Sequence, residues 1–165
     1  MFPIHIGYIP TPTRAVEAAL RLAELSQDDI LYDLGCGDGR VVIAAAQQCG
    51  VQAVGIDTDA QRIAEAQRNS ARAGVTNQVE FRHQNLFESD FEQATVVFLY
   101  LLPHLNLRLK PLLLETLKPR SRIISRDFDM GEWLPERKIF VPDAEEECHL
   151  LRWTIPEIWE TPENL

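Results

Sequence analysis

The sequence predicts a single-domain α/β fold, a doubly wound and mostly parallel sheet that ends in an antiparallel hairpin. Three observations lead there. A short apolar run, Ile30-Leu31-Tyr32, enters the stretch Asp33-Leu34-Gly35-Cys36-Gly37-Asp38-Gly39-Arg40 and leaves it as Val41-Val42-Ile43-Ala44-Ala45-Ala46, a strand that becomes a helix through alternate glycines. Beyond it, short apolar runs alternate with helical stretches as far as Ser125, the pattern of parallel strands joined by crossover helices. Finally, 138–141 and 148–155 are two strands joined across Pro142-Asp143-Ala144-Glu145-Glu146, a hairpin at a sheet edge.

A chain of 165 residues suffices for one core and is short for two. The domain is read as 1–165, with an N-terminal segment and helix over 1–25 and a core over 28–165. A formal net charge of −9 argues against a protein that grips phosphate backbones, so nucleic acid is not expected as a partner. It suits a positively charged partner or a small substrate. Cys36, Cys49 and Cys148 form an odd, scattered set without C-x-x-C, which implies reduced thiols in a cytoplasmic setting. Met1-Phe2-Pro3-Ile4-His5-Ile6-Gly7 lacks the basic and apolar regions of a signal peptide, and no apolar stretch approaches the ~20 residues of a membrane span. No metal site is expected.

Tyr8-Ile9-Pro10-Thr11-Pro12-Thr13 is a stiff, extended lead-in, because each proline fixes its own φ and biases the residue before it away from helix. Thr11 or Thr13 can cap the helix that follows, with Val16, Ala19, Leu20 and Ala23 on one face. This segment either covers the sheet or closes over a ligand, and one segment can do both. The glycine turn leaves backbone N–H groups at a helix start, a place where an anionic or polar ligand can approach the main chain. A tight turn with no ligand is the alternative. The dinucleotide pattern G-x-G-x-x-G fits poorly, since the third glycine, Gly39, comes one place early and Arg40 stands where Gly or Ala is needed. Cys36 is read as a small residue required by the turn rather than as a nucleophile.

Val51–Ile56 is the second strand, ending in Asp57-Thr58-Asp59. A carboxylate at that tip, 24 residues beyond Asp33, can take both ribose hydroxyls of a nucleoside. Asp59 opens a helix with Ile63, Ala64, Gln67 and Ala71 inward, stopped by Gly74. Gln78–Phe81 is the third strand and leads to Arg82-His83-Gln84-Asn85-Leu86-Phe87, where His83 is read as a surface residue rather than a base. Ala94–Leu101 is a continuous apolar run, as for a central strand buried on both faces. Its end, Tyr100-Leu101-Leu102-Pro103-His104, faces the ligand crevice, because open α/β sheets bind outside the carboxyl ends of their strands. Leu105–Leu117 is helical, with Pro111 kinking it or starting a second helix, and Arg122–Ser125 is the fifth strand.

The pattern D-x-G-x-G-x-G resembles the first motif of the class I S-adenosylmethionine-dependent methyltransferases, whose sheet is Rossmann-like. Tyr8-Ile9-Pro10-Thr11, Tyr32–Arg40, Leu99-Tyr100-Leu101-Leu102-Pro103 and Arg126-Asp127-Phe128-Asp129-Met130-Gly131 extend the likeness along nearly the whole chain. Together they are similar to a compact bacterial group related to the mitochondrial lysine methyltransferases of the adenine nucleotide translocase and the c-type subunit of ATP synthase. The resemblance implies S-adenosylmethionine as cofactor. Asp33 then accepts from its ammonium, Gly35, Gly37, Asp38 and Gly39 form the turn around it, and Asp57 takes the ribose. Asn85 stands where this family often has an acid for the adenine amino group, with Leu86 beside it and Thr11 on the N-terminal side. Tyr100, Asp127 and Tyr8 are the candidate catalytic residues, with Asp129 and His104 facing the same space. Tyr100 is either an aromatic wall near the sulfonium or the incoming amine, or part of the core. The [DN]-P-P-[YF] motif of nucleobase and glutamine amino-methyltransferases is absent. Three functions follow as expectations: a protein-lysine N-methyltransferase first, then a small-molecule methyltransferase, then a cofactor-binding module without catalysis. The oligomeric state is left open.

Overall fold

The computed structural model describes residues 10–142 and 146–157. Along the chain run α1 (Thr13–Ala23), β1 (Ile30–Leu34), α2 (Arg40–Cys49), β2 (Gln52–Asp57), α3 (Ala60–Ala73), β3 (Val79–His83), one 3₁₀ turn (Leu86–Glu88), β4 (Val96–Leu99), α4 (Pro103–Thr116), β5 (Arg122–Arg126), β6 (Arg137–Val141) and β7 (Cys148–Thr154). The seven strands form one sheet in the order β3-β2-β1-β4-β5-β7-β6. β1 to β5 are mutually parallel, and β7 runs antiparallel between β5 and β6. The expected doubly wound sheet with its C-terminal hairpin is therefore present. Its direction of winding reverses between β1 and β4, which places a crevice at the carboxyl ends of those two strands.

The strands at that switch point are the most deeply buried. All four residues of β4 are buried, and they alternate between two cores. Val96 and Phe98 pack with Leu31, Val42, Ala45 and Ile63 on the side of α1, α2 and α3. Val97 and Leu99 pack with Tyr32, Leu34, Leu109, Leu113 and Trp153 on the side of α4. The continuous apolar run thus hides a period of two.

Local departures from the sequence reading have plain causes. β4 stops at Leu99 instead of Leu101, because its ladder with β1 ends at Leu34↔Leu99 and β1 there enters the glycine turn. Neither Thr11 nor Thr13 caps α1. The N-cap is Pro12, whose carbonyl accepts from Val16 N at 3.0 Å, and no side chain caps it. In α3 the inward residues are Ile63, Ala66 and Ser70, whereas Gln67 and Ala71 are exposed. Asp59 does cap α3, accepting from Gln61 N and Arg62 N, and Gly74 ends it in the left-handed region. α4 begins at Pro103 and runs through Pro111 unbroken. The carbonyl deprived of its partner by Pro111 belongs to Leu107, a solvent-exposed residue.

Candidate functional site

Asp33 occupies the crevice end of β1, held between β2 and β4 by its pairing with Gly55 and Phe98. It is only 3% exposed, and its side chain lines a cavity of about 350 Å³. Among the described residues none donates a hydrogen bond to its carboxylate. Burial, and after it the negative charges of Asp57 and Asp38, push its pKa well above the ordinary carboxylate range. A buried anion without a donor is costly in the free protein, and a ligand ammonium would relieve that cost.

The glycine turn departs from the expectation of free amides. Gly35 N and Cys36 N both donate to the Ile56 carbonyl (2.8 and 3.0 Å), and Gly39 N donates to the Cys36 carbonyl (3.0 Å). Gly37 N donates to Asp57 Oδ2 at 2.8 Å. The amides of Gly35, Cys36 and Gly37 brace the turn against β2, and that of Gly39 closes the turn on itself. Asp57 Oδ1 accepts from Asp59 N at 2.9 Å, so the carboxylate at the tip of β2 is oriented by two backbone bonds. Each oxygen retains a lone pair.

Cys36 packs directly over Gly55, where an added Cβ would lie 2.7 Å from its Sγ. Burial, with Asp33 and Asp57 adding to it, pushes this thiol far up, which together with its close packing over Gly55 favours a steric role for Cys36.

Two arginines pin the N-terminal segment. Arg40 grips Asp38 through Nε to Oδ1 (3.1 Å) and Nη2 to Oδ2 (2.6 Å), and donates from Nη1 to the Thr11 carbonyl (3.1 Å). Asp38, a candidate cofactor residue, therefore spends both carboxylate oxygens on Arg40 while still lining the cavity. Thr11 is buried, lines the same cavity, and accepts on Oγ1 from Arg126 Nη1 at 3.3 Å. Pro10 and Thr11 form part of the wall, in line with one of the two roles the sequence leaves open for this segment; Tyr8 lies outside the described residues.

Another part of the wall is aromatic. Tyr100 stacks on Phe128 with centroids 6.2 Å apart and planes 5° from parallel, and the Arg126 guanidinium lies 4.1 Å from the Tyr100 ring centroid. Burial outweighs the guanidinium and pushes the Tyr100 hydroxyl up, so it stays a neutral phenol at ordinary pH. Asp127 does not line the cavity. Its φ is +64°, its amide donates to the His149 carbonyl, and its Oδ1 accepts from His149 N at 2.9 Å, which ties the end of β5 to β7. Asp129 accepts from Gly131 N in a turn, and His104 is an exposed residue of α4; neither lines the cavity.

A second cavity, of about 310 Å³, is lined by Asp57, Gln84, Asn85, Leu86, Phe87 and Arg108 among others. Gly35 and Leu101 border both cavities, so the two adjoin across the first glycine of the turn. Asn85 caps the 3₁₀ turn with its side-chain oxygen on Phe87 N at 3.0 Å, which leaves less of that oxygen for a ligand than the sequence suggested. Arg108 lies 4.1 Å over the Phe87 ring. His83 hydrogen-bonds the Thr58 carbonyl through Nε2 at the strand end, a surface role.

Sequence reasoning missed Arg126, Phe128 and Arg108. Arg126 and Phe128 stand in the stretch Arg126–Gly131 that carries the family likeness, of which the sequence reading singles out only the acids as site candidates; a further signal for Arg126 is a cation ending the apolar strand Ile123-Ile124-Ser125.

A crevice at the switch point, with a buried carboxylate on one side of a glycine turn and a backbone-braced carboxylate on the other, is where an α/β enzyme of this architecture takes its ligand, and the comparisons give the class as methyltransferase. Residues 33–137 match the model of the ANTKMT methyltransferase domain. A protein-lysine N-methyltransferase of Saccharolobus islandicus (strain REY15A) is 45% identical over 141 residues, covering 85% of this chain and 88% of that one. The adenine nucleotide translocase lysine N-methyltransferase of Mus musculus is 29% identical over 80% of this chain, which spans only 57% of that protein. Among solved structures, an RNA methyltransferase of Salinibacter ruber in complex with S-adenosyl-L-homocysteine superposes with a TM-score of 0.87 at 47% identity, covering 93% of this chain and 98% of that one. The chain belongs to the ANTKMT methyltransferase domain family, within the class I S-adenosylmethionine-dependent methyltransferases.

Proposed function

We propose that the protein methylates the ε-amine of a lysine in another protein, with S-adenosylmethionine as donor. The observation that carries this reading is the 45% identity, over 85% of the chain, to a protein-lysine N-methyltransferase of nearly the same extent. In this reading the amino-acid end of the cofactor lies with Asp33 in the first cavity, beside the turn Gly35–Gly39, with Asp38 and Thr11 shaping the wall. The nucleoside lies in the second, with Asp57 at the ribose and Asn85 and Leu86 near the base. The fit rests on the Asp33 carboxylate, which is buried, faces the cavity and lacks a donor among the described residues.

When bound, the cofactor supplies a methyl group on a positively charged sulfur. The chain's own task is positioning, together with delivery of a neutral amine. With a lysine pKa of ~10.4, making the amine neutral at pH 7 costs about 4.6 kcal/mol. Burial against an apolar wall of Phe98, Tyr100 and Phe128 lowers that cost, because it disfavours the ammonium. Tyr100, as a neutral phenol, can orient the amine through its hydroxyl but is too weak a base to deprotonate it. Asp127 is assigned to holding the turn after β5 rather than to catalysis. Free thiols at Cys36, Cys49 and Cys148 agree with a cytoplasmic enzyme, and no helix among the described residues is long and apolar enough to cross a membrane.

A second reading, RNA as acceptor, is favoured by the description of the Salinibacter ruber structure. The net charge of −9 weighs against it, since phosphate backbones are held by excess Lys and Arg. Incubation with radiolabelled S-adenosylmethionine and cell extract, split into protein, RNA and small-molecule fractions, decides. Methyl-lysine after acid hydrolysis of the protein fraction is the expected result. Label confined to RNA or to metabolites overturns the lysine acceptor, and tight binding with no label in any fraction indicates a non-catalytic module.

A further inference from the structure

Arg126 is the one charged residue among the largest fully buried side chains of the described chain, at 1% exposure. Removing a guanidinium from water is expensive, and no equally buried carboxylate among the described residues balances it. Its acidic partners lie nearer the surface. Nη2 donates to Glu146 Oε2 at 2.8 Å, and Nε lies 3.7 Å from Asp127 Oδ2; the Glu146 side chain is 52% exposed. Two further contacts lead toward the first cavity, to Thr11 Oγ1 at 3.3 Å and to the ring of Tyr100 at 4.1 Å. Four segments, as far apart in sequence as Thr11 and Glu146, therefore meet on one planar group: the N-terminal lead-in, the end of β4, the end of β5 and the loop before β7.

A purely structural role, tying β5 to the hairpin, is already filled. Asp127 bonds His149 in both directions, and β5 pairs with β7 from Arg122↔Thr154 to Arg126↔Leu150. What those bonds leave unfixed is the position of Tyr100 relative to Thr11, and Arg126 touches both. Its flat, five-donor fork can stack on an aromatic ring and donate sideways at the same time, which a lysine ammonium cannot.

We propose that Arg126 is a positioning residue for the methyl-acceptor wall, fixing the Tyr100 ring and the Thr11 segment so that an incoming amine meets a single geometry. This rests on the reading of the cavity as the place of methyl transfer. Arg126 touches neither Asp33 nor Asp57, and Arg40 still holds the Thr11 carbonyl beside the cofactor's amino-acid end, so its loss should lower kcat and leave cofactor affinity nearly intact.

The test compares Arg126→Met, Arg126→Lys and Glu146→Ala in the full chain. It reads S-adenosyl-L-homocysteine affinity by calorimetry, kcat and KM on the labelled acceptor fraction, and amide hydrogen exchange over residues 11–16. Arg126→Met is expected to lower kcat by roughly 100-fold, the scale of a misplacement of about 1 Å, with cofactor affinity changed less than about threefold and faster exchange at the segment. Arg126→Lys should recover part of kcat, and Glu146→Ala should lower kcat by roughly threefold to tenfold. Wild-type kcat in Arg126→Met, or a parallel fall of cofactor affinity and kcat, overturns the proposal. Should Arg126→Met fail to fold, Glu146→Ala decides, since its site is half exposed; unchanged kcat and exchange there overturn it. If wild-type enzyme labels no acceptor, the methyl-transfer reading fails by itself, while the exchange rates with S-adenosyl-L-homocysteine bound still report whether the clamp exists.

Discussion

Replacing Asp33 with Asn keeps the shape of the side chain and removes its charge, so two effects of opposite sign should separate. Cofactor binding should weaken. A hydrogen bond to a charged partner contributes about 1.5–3 kcal/mol, and each ~1.4 kcal/mol is a factor of ten, so one lost bond costs roughly 10-fold to 150-fold in affinity. The free protein, by contrast, should become more stable. Asp33 is buried without a described donor and its pKa is raised, so the folded state resists ionising it. Below the unfolded value of ~3.9 the group is protonated in both states and Asn offers no advantage. As pH rises from there through the folded pKa the wild type loses stability, and the advantage of Asn opens and reaches its maximum above it. Calorimetry with S-adenosyl-L-homocysteine and thermal melts of the free proteins at pH 4 and pH 8 read both effects. Affinity within about threefold of wild type would refute the assignment of the ammonium to Asp33, and a less stable Asn variant at pH 8 would refute the electrostatic argument.

Gly39→Ala should destabilise by about 1–3 kcal/mol, since φ is +82° and the new Cβ would meet Phe81 Cζ at 2.8 Å and Ala66 Cβ at 3.0 Å; an unchanged denaturant midpoint contradicts this. Cys36 should resist iodoacetamide in the native protein, because its thiol is buried and pushed up, and Cys36→Ala should keep methyl transfer; alkylation at the rate of a free thiol would show the turn to be open. Asp57→Ala should both lower the melting temperature and weaken S-adenosyl-L-homocysteine by more than about tenfold, since it removes the acceptor of Gly37 N and Asp59 N as well as the ribose partner. An effect on affinity with no effect on melting would mean that the turn does not depend on that brace.

What was legible in the sequence is what local pattern encodes. The apolar run at β4, the strand-turn-helix at Asp33–Arg40 and the Asp59 and Gly74 ends of α3 follow from neighbouring residues, and the structure has all of them. The inward face of α3 was misread because Ala64, Gln67 and Ala71 fit a helical stripe as well as Ile63, Ala66 and Ser70 do. Only the position of the sheet chooses between them. The cavity residues named from the motif, Asp33, Gly35 and Asp38, line the first cavity, and Asp57, Asn85 and Leu86 line the second. The clamp on Thr11 was invisible, because its two arginines lie 29 and 115 residues away and no period links them. Asp127 was put at the site for a related reason: sequence places it at a strand end but cannot tell that its left-handed backbone ties the carboxylate to His149 instead.

In the proposed binding mode the cofactor lies across Gly35 with its two ends in separate cavities. A crystal structure with S-adenosyl-L-homocysteine bound tests it most directly. The amino nitrogen within hydrogen-bond distance of Asp33 and the ribose hydroxyls at Asp57 are the predicted result. A ligand lying in only one of the cavities, or reversed across the turn, would contradict it.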